Sequence, residues 1–546
     1  MKKVFALGMV MILLAALMVA CSSTPQPQII RETVVVTEQV EKQVVVTQEV
    51  EKEVVVTATP EPTPIPKTLV FVDGTEPVSM YPPVYTGPPG SLNYLLFDPL
   101  VGYGEDLQPD PDGGLATSWE VGDDQVTWTF HLRQGVKFHD GTDFDANAVK
   151  VTLDTLLDPA TGALRRSAFL VIKEVNVVDP YTVQIVTDGV FPDLPFLLME
   201  RSTFIVSPTA LKQLGVDDFG LNPVGTGPFK FVEWVPNDHI TYEANPDYWR
   251  GKPRVDRVVY RRVSEDAVRT AMLLTGEADI VLNIPPEDLE RLKAEPSINV
   301  VQGDSLTTIA CEANTAVPPF DNRLVRQALN YAIDKKAIIE SIMHGAGSVP
   351  DTPAPPGVWG AVHLIPYSYD PEKAKQLLAE AGYPNGFTTH MTYVSGRWAG
   401  DDAVIQATQA YWAAIGVDAQ IEKMEMAEWV ELDTADPNTI PGYMSCALRS
   451  SAYLDYHLQR LYSCAAAADV IMNYCNPEFD QLIKEGRSSF DLNERFPYYA
   501  DAQKLIWDDA VMMWQFVRQN LVGVRAGVTG YELLPTGDLR LLNATK

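Results

Sequence analysis

Leu115–Leu157 reads LATSWEVGDDQVTWTFHLRQGVKFHDGTDFDANAVKVTLDTLL. Val126, Trp128, Phe130 and Leu132 alternate with Thr127, Thr129, His131 and Arg133, the period of a strand with one buried face. Gln134-Gly135 predicts a turn, Val136 to Phe138 a short second strand, and His139-Asp140-Gly141 another turn. Asp143 or Asp145 then caps a helix whose Val149, Thr152, Leu153 and Leu156 share one face. Every residue in this reading is scaffold, and none is catalytic.

Outward from that stretch the same alternation of strands and helices continues. Val175 and Val177, the Asp179-Pro180 turn, then Val183 and Ile185 predict a hairpin. Ser264 to Thr275 predicts a helix with Ala267, Ala271 and Leu274 facing the core and Gly276 as its stop. From Tyr369 to Gly382, Asp370 is the N-cap, Pro371 the first helical residue, and Gly382 lies beyond the end. Asp401 to Ile415 predicts another helix, followed through Gly416 by a strand from Val417 to Ile421. The class these elements support is α/β.

The signature stretch is similar to one shared by the family 5 solute-binding proteins, the peptide, nickel and oligosaccharide receptors of ABC importers. The residues that carry the resemblance are Leu115-Ala116, Ser118-Trp119, Asp123-Asp124, Thr129-Phe130, Leu132-Arg133 and Gly135 to Gly141. It continues in Gly225-Thr226-Gly227-Pro228-Phe229, Asn245-Pro246-Asp247-Tyr248-Trp249, Val325 to Asp334, Tyr369 to Ala374 and Cys475 to Asp480. The resemblance implies a periplasmic-binding-protein-like fold of class II: two lobes, an extra subdomain and a hinge. On that template lobe I is 67–310 plus 518–546, with the subdomain near 111–220, and lobe II is 311–517. Strands near Thr307 to Ala313 and Gln515 to Val524 cross between them. The implied function is capture of a peptide or similar polar solute by lobe closure and delivery to ABC permease subunits with their ATPases. An oligosaccharide or metal-chelate receptor, a ligand sensor and a secreted hydrolase are the alternatives.

The N-terminus sets the compartment independently. Lys2 and Lys3 precede an apolar run, Val4 to Ala20, too short for a span and ending on small residues, which predicts a cleaved signal peptide over 1–20. Leu17 to Cys21 resembles a lipobox, implying lipidation of Cys21 and a tether on the outer face of the cytoplasmic membrane. Residues 21–66 read as a stalk: Val34 to Val36, Val44 to Val46 and Val54 to Val56 recur at a ten-residue period before Pro60, Pro62, Pro64 and Pro66. The formal charge is −30, and −32 without residues 1–20, a poor balance for binding nucleic acid. A monomer is expected.

Four cysteines beyond Cys21 lie in a disulfide-permissive setting, where three connectivities are open. The resemblance implies Cys464 with Cys475 and Cys311 with Cys446. Motifs for hydrolases, zinc sites and nucleotide loops are missing, and the seven histidines are scattered, so neither catalysis nor a metal or other cofactor is expected. His139 is read as a turn residue.

Candidate ligand contacts follow from the template. Peptide-binding relatives carry a Trp-x-x-Asp-x-x-Asp-Pro segment shortly before the Cys464 position, and this chain has Ala447 to Tyr456 there instead. Asp455 is expected to replace the acid that holds a peptide's amine, and Arg449, with Ser450 and Tyr453 beside it, to meet an anionic ligand group. Arg397 and Trp398 occupy a loop after a strand at Thr389 to Val394 that faces the cleft in the family, offering a carboxylate clamp and a stacking ring. Trp359 and Tyr81 or Tyr85 complete the set.

Overall fold

A computed structural model describes residues 66–84, 90–104, 107–163, 166–433, 435, 443–467 and 470–546. The signal segment, Cys21, the valine repeats and Tyr85 lie outside these residues. Among the described residues no helix is long and apolar enough to cross a membrane.

The backbone of the molecule is an eleven-stranded mixed sheet. Its path runs Val417–Met424, Phe387–Val394, Tyr443–Ser450, Ile298–Ala313, Met512–Arg525, Ile280–Leu282, Thr68–Asp73, Arg257–Arg262, His239–Ala244 and Phe229–Val235. Gly347–Ser348 pairs off the path with Met512–Arg525. Ile298–Ala313 and Met512–Arg525 are antiparallel partners shared by both ends of the sheet. Sixteen residues in Ile298–Ala313 give a ribbon about 50 Å long at 3.3 Å per residue. The first strand begins nine residues before the predicted crossing segment and ends with it at Ala313, and the second extends past its predicted segment at both ends.

Two cores flank the ribbon, and they make the fold two-lobed. At one end Leu69, Phe71, Tyr242, Val258 and Tyr260 pack with Val522 and Leu539. At the other, Ile309, Val325, Leu329, Met391, Trp412 and Phe516 form a second core. Cys311 and Cys446 are register partners on adjacent strands there and are disulfide-bonded, as are Cys464 and Cys475.

The signature stretch supplies two strands of a separate four-stranded antiparallel sheet, in the order Ala116–Val121, Thr127–Leu132, Thr182–Thr187, Ile172–Asp179, and the predicted hairpin supplies the other two. Helix Ala146–Leu157 covers it, with the Asp145 carboxylate accepting from Ala148 N–H and Val149, Thr152, Leu153 and Leu156 all buried. The second strand expected at Val136 to Phe138 is only an isolated bridge between Lys137 and Asp143, because Gly141 turns the chain back too soon for a ladder. His139 does more than serve a turn: its Nε2 donates to the Gly227 carbonyl at 2.9 Å and its Nδ1 accepts from Gly225 N–H at 3.4 Å. Burial pushes its pKa down to about 4, so the ring stays neutral. Nearby, the buried Asp98 carboxylate accepts from Thr226 Oγ1, Tyr248 OH and Trp249 Nε1 at 2.7–2.9 Å. Three of the sequence signatures are thus the parts of one docking joint.

One face assignment is corrected. Helix Asp266–Thr275 forms and stops at Gly276, but Arg269, Thr270, Met272 and Leu273 are its buried residues, while Ala267 and Ala271 are exposed. Arg269 turns inward because it donates to the carbonyls of Val263, Ser264 and Asn283 and pairs with Asp266. A buried guanidinium whose two terminal nitrogens are bonded in this way overrides the apolar pattern.

Candidate functional site

The ends of Thr68–Asp73 and Phe387–Val394 bring the two lobes into contact. A Cβ on Gly74 would lie 2.0 Å from the Gly396 carbonyl oxygen, so only glycine permits this approach. Beside it Arg262, at the end of Arg257–Arg262, pairs with Glu425, which follows Val417–Met424. Between these contacts lies a cavity of 740 Å³, within the usual span of ligand pockets. Thr75 to Val78, Leu221, Phe231 to Trp234 and Arg262 wall it on one side, and Val394 and Glu425 to Ala427 on the other. Val394 and Met426 continue inward into a small apolar cluster with Trp429 and Ala447. The Glu76 carboxylate accepts from Asn237 N–H at 3.1 Å and Trp234 Nε1 at 3.4 Å, which fixes one wall.

A second junction joins the four-stranded subdomain to helices of the second lobe. Asp193 accepts from both terminal nitrogens of Arg495, which also donates to Gly486 O at 2.8 Å and Tyr499 OH at 3.0 Å. Tyr499 OH donates to Asp455 Oδ2 at 2.7 Å, and Arg487 closes the chain with two bonds to the same carboxylate. Phe196 stacks on Tyr453, ring centroids 5.0 Å apart. Burial drives the Tyr499 phenol far above its ordinary pKa, leaving it a neutral relay between two ion pairs.

The structure distributes the expected contacts between these places and the interior. Arg449 is buried and pairs with Glu312 on the neighbouring strand, whose negative charge holds the guanidinium above its ordinary pKa against the cost of burial. Asp455 sits inside the network just described, with both oxygens bonded to protein donors, so its expected role toward an amine meets a carboxylate already satisfied. Tyr453 is buried against Phe196. Arg397 lies over the Trp429 ring at 4.1 Å, at the inner end of the cavity's apolar floor. Its neighbour Trp398 turns the other way, 1% exposed in the second lobe's core, because the loop reverses at Gly396 and Gly400. Trp359 is half-exposed and packs edge-on against Tyr499, near the Arg495 guanidinium. Tyr81 is fully buried beside Phe219. Ser450 belongs to strand Tyr443–Ser450, and its side chain is outside the described set.

Sequence reasoning missed Glu76, Trp234, Arg262 and Glu425 as cavity-lining residues. The one usable signal was Asp73-Gly74 at the end of a strand, a glycine where backbones approach closely. Among the described residues no group of three metal-ligating side chains occurs.

A two-lobed α/β body with a ligand-sized cavity walled by both lobes is the architecture of a solute-binding protein. The profile described as "Bacterial extracellular solute-binding proteins, family 5 Middle" matches residues 110–451, and the chain belongs to that family of binding proteins. The glutathione-binding protein GsiB of Pectobacterium atrosepticum is 34% identical over 428 residues, 77% of this chain and 83% of the relative. The ABC transporter-associated periplasmic binding protein DppA from Helicobacter pylori, solved with the peptide STSA, superposes with a TM-score of 0.80 at 30% identity, covering 87% of this chain and 97% of the other. AgaA of A. tumefaciens R10, solved with agropinic acid, gives 0.79 at 28% identity, covering 88% and 98%.

Proposed function

We propose that this chain captures small peptides in the cavity between its lobes and hands them to a membrane permease of an ABC importer, held at the outer face of the cytoplasmic membrane by lipid on Cys21. The observation that carries the reading is the 740 Å³ cavity walled from both lobes. Relatives named for glutathione and solved with a tetrapeptide support the ligand class. In this reading lobe I is 67–310 plus 518–546, with the extra subdomain near 111–220, and lobe II is 311–517. Arg397 is the ligand contact for a peptide carboxylate, since its loop abuts Gly74 and follows Val394 of the cavity wall. Closure draws the lobes together because a ligand touching both stabilises the closed state by its differential affinity.

The test is native mass spectrometry of the Cys21→Ser chain, purified without refolding, followed by denaturing release of whatever it carries. Released peptides are the expected result. A released sugar or metal chelate as the sole ligand rejects the peptide assignment. Retention of the Cys21→Ser chain on membranes rejects the anchor.

A further inference from the structure

The cavity between the lobes is chemically lopsided, and its asymmetry bears on which peptides it holds. Among the described residues Glu76, Glu233 and Glu425 line it, against one cation, Arg262, which is already paired with Glu425 and bonded to Asn237. Around these carboxylates the walls are apolar and aromatic, from Val78, Phe231 and Trp234 on one side to Val394 and Met426 on the other. His239 contacts Glu233 at 3.4 Å from outside the lining, and Asp238 and Arg261 flank it. A side-chain carboxylate placed beside Glu76 and Glu233 would be repelled by both, although His239 offsets part of the Glu233 charge. A long apolar stem ending in a cation would lie along the aromatic wall and bring its charge to the acidic rim.

We infer that this cavity selects peptides carrying a basic side chain, with Glu76 and Glu233 as the residues that set the preference. The inference rests on the peptide reading above and narrows it. Glu233 is about half exposed. Solvent-exposed charge pairs contribute modestly, so the preference of lysine over glutamate is expected to be about fivefold to tenfold.

Three tripeptides alike except for a central lysine, norleucine or glutamate test this by calorimetry on the Cys21→Ser chain dialysed free of ligand. The expected order of affinity is lysine, norleucine, glutamate, and 0.5 M salt compresses it. In the Glu76→Gln, Glu233→Gln double variant the ratio of lysine-peptide to glutamate-peptide affinity should collapse toward twofold, whatever the change in the norleucine peptide's affinity. Equal affinities for all three peptides, or a spread that survives in the double variant, overturn the charge selection and leave the peptide reading standing. Binding of none of the three, with a non-peptide ligand in the native mass spectrum, overturns both.

Discussion

The junction at Asp193 and Arg495 and the junction at Arg262 and Glu425 both tie one lobe to the other with a guanidinium and a carboxylate, yet their surroundings are opposite. Side chains of the first pair are 7% and 2% exposed, and Tyr499, Asp455 and Arg487 extend it into a buried chain of bonds. In the second, Glu425 is 68% exposed and Arg262 17%. A buried pair that loses one partner strands a charge in low dielectric, whereas an exposed pair loses to water little more than it gained. The subdomain face is therefore held firmly, and the cavity mouth is where the lobes part at low cost.

Arg495→Ala should have the largest effect. It leaves Asp193 buried without its cation, which costs about 3–5 kcal/mol of folding stability. Urea denaturation measures this, and a loss below about 1 kcal/mol would place the pair among ordinary surface bridges and break the comparison. Adding Asp193→Asn should recover part of the loss, because the stranded charge is gone.

Next comes Asp401, at the start of helix Asp401–Ala413, whose carboxylate accepts from the N–H groups of Arg397 and Asp402. Burial, then the charge of Asp402, pushes its pKa from 3.8 up to about 7. The folded chain therefore keeps a proton that the unfolded chain has released between those values. Its contribution is full below pH 3.8 and is lost as pH rises through 7. Asp401→Asn should remove this dependence and, above pH 7, stabilise the protein by up to about 4 kcal/mol. Matched urea titrations of both proteins at pH 5 and 8 check it: a difference that does not grow with pH refutes the assignment.

Gly74→Val acts on closure rather than folding. Its Cβ would collide with the Gly396 carbonyl, and overpacking of this sort costs about 1–3 kcal/mol. The folded far-UV spectrum should be unchanged while peptide affinity falls by roughly tenfold, the corresponding factor. Unchanged affinity would mean that the lobes bind ligand without this contact.

How much of this was legible beforehand depends on how local each cause is. Helix Ala146–Leu157 was readable because Asp145 and the apolar face lie within one short segment, and Pro371–Glu380 because Asp370, Pro371 and Gly382 punctuate it. The inward turn of Arg269 was not, since its carbonyl acceptors Val263, Ser264 and Asn283 all lie outside helix Asp266–Thr275, the last of them 14 residues on. Arg449 read as a ligand contact for the same reason: its partner Glu312 is 137 residues away. Asp193 and Arg495 are 302 residues apart, and nothing in either neighbourhood announces the other. Cavity residues such as Glu76 and Glu425 carried no motif, because a cavity between lobes is a property of how the lobes meet.

Arg262→Ala should be the mildest of these changes and the sharpest test of the contrast. Its pair contributes less than about 1 kcal/mol to folding, since Glu425 returns to water when released. The pair nonetheless spans the rim of the cavity, so its loss should fall on the rate at which bound peptide escapes, raising it a few-fold in stopped-flow displacement. Salt supplies an internal control: with the Debye length near 3 Å at 1 M, the wild-type escape rate should approach that of the variant, while the buried Asp193–Arg495 pair stays unscreened. A loss of stability rivalling that of Arg495→Ala would mean that the mouth is as firmly sealed as the subdomain face, and release would then have to open the molecule somewhere else.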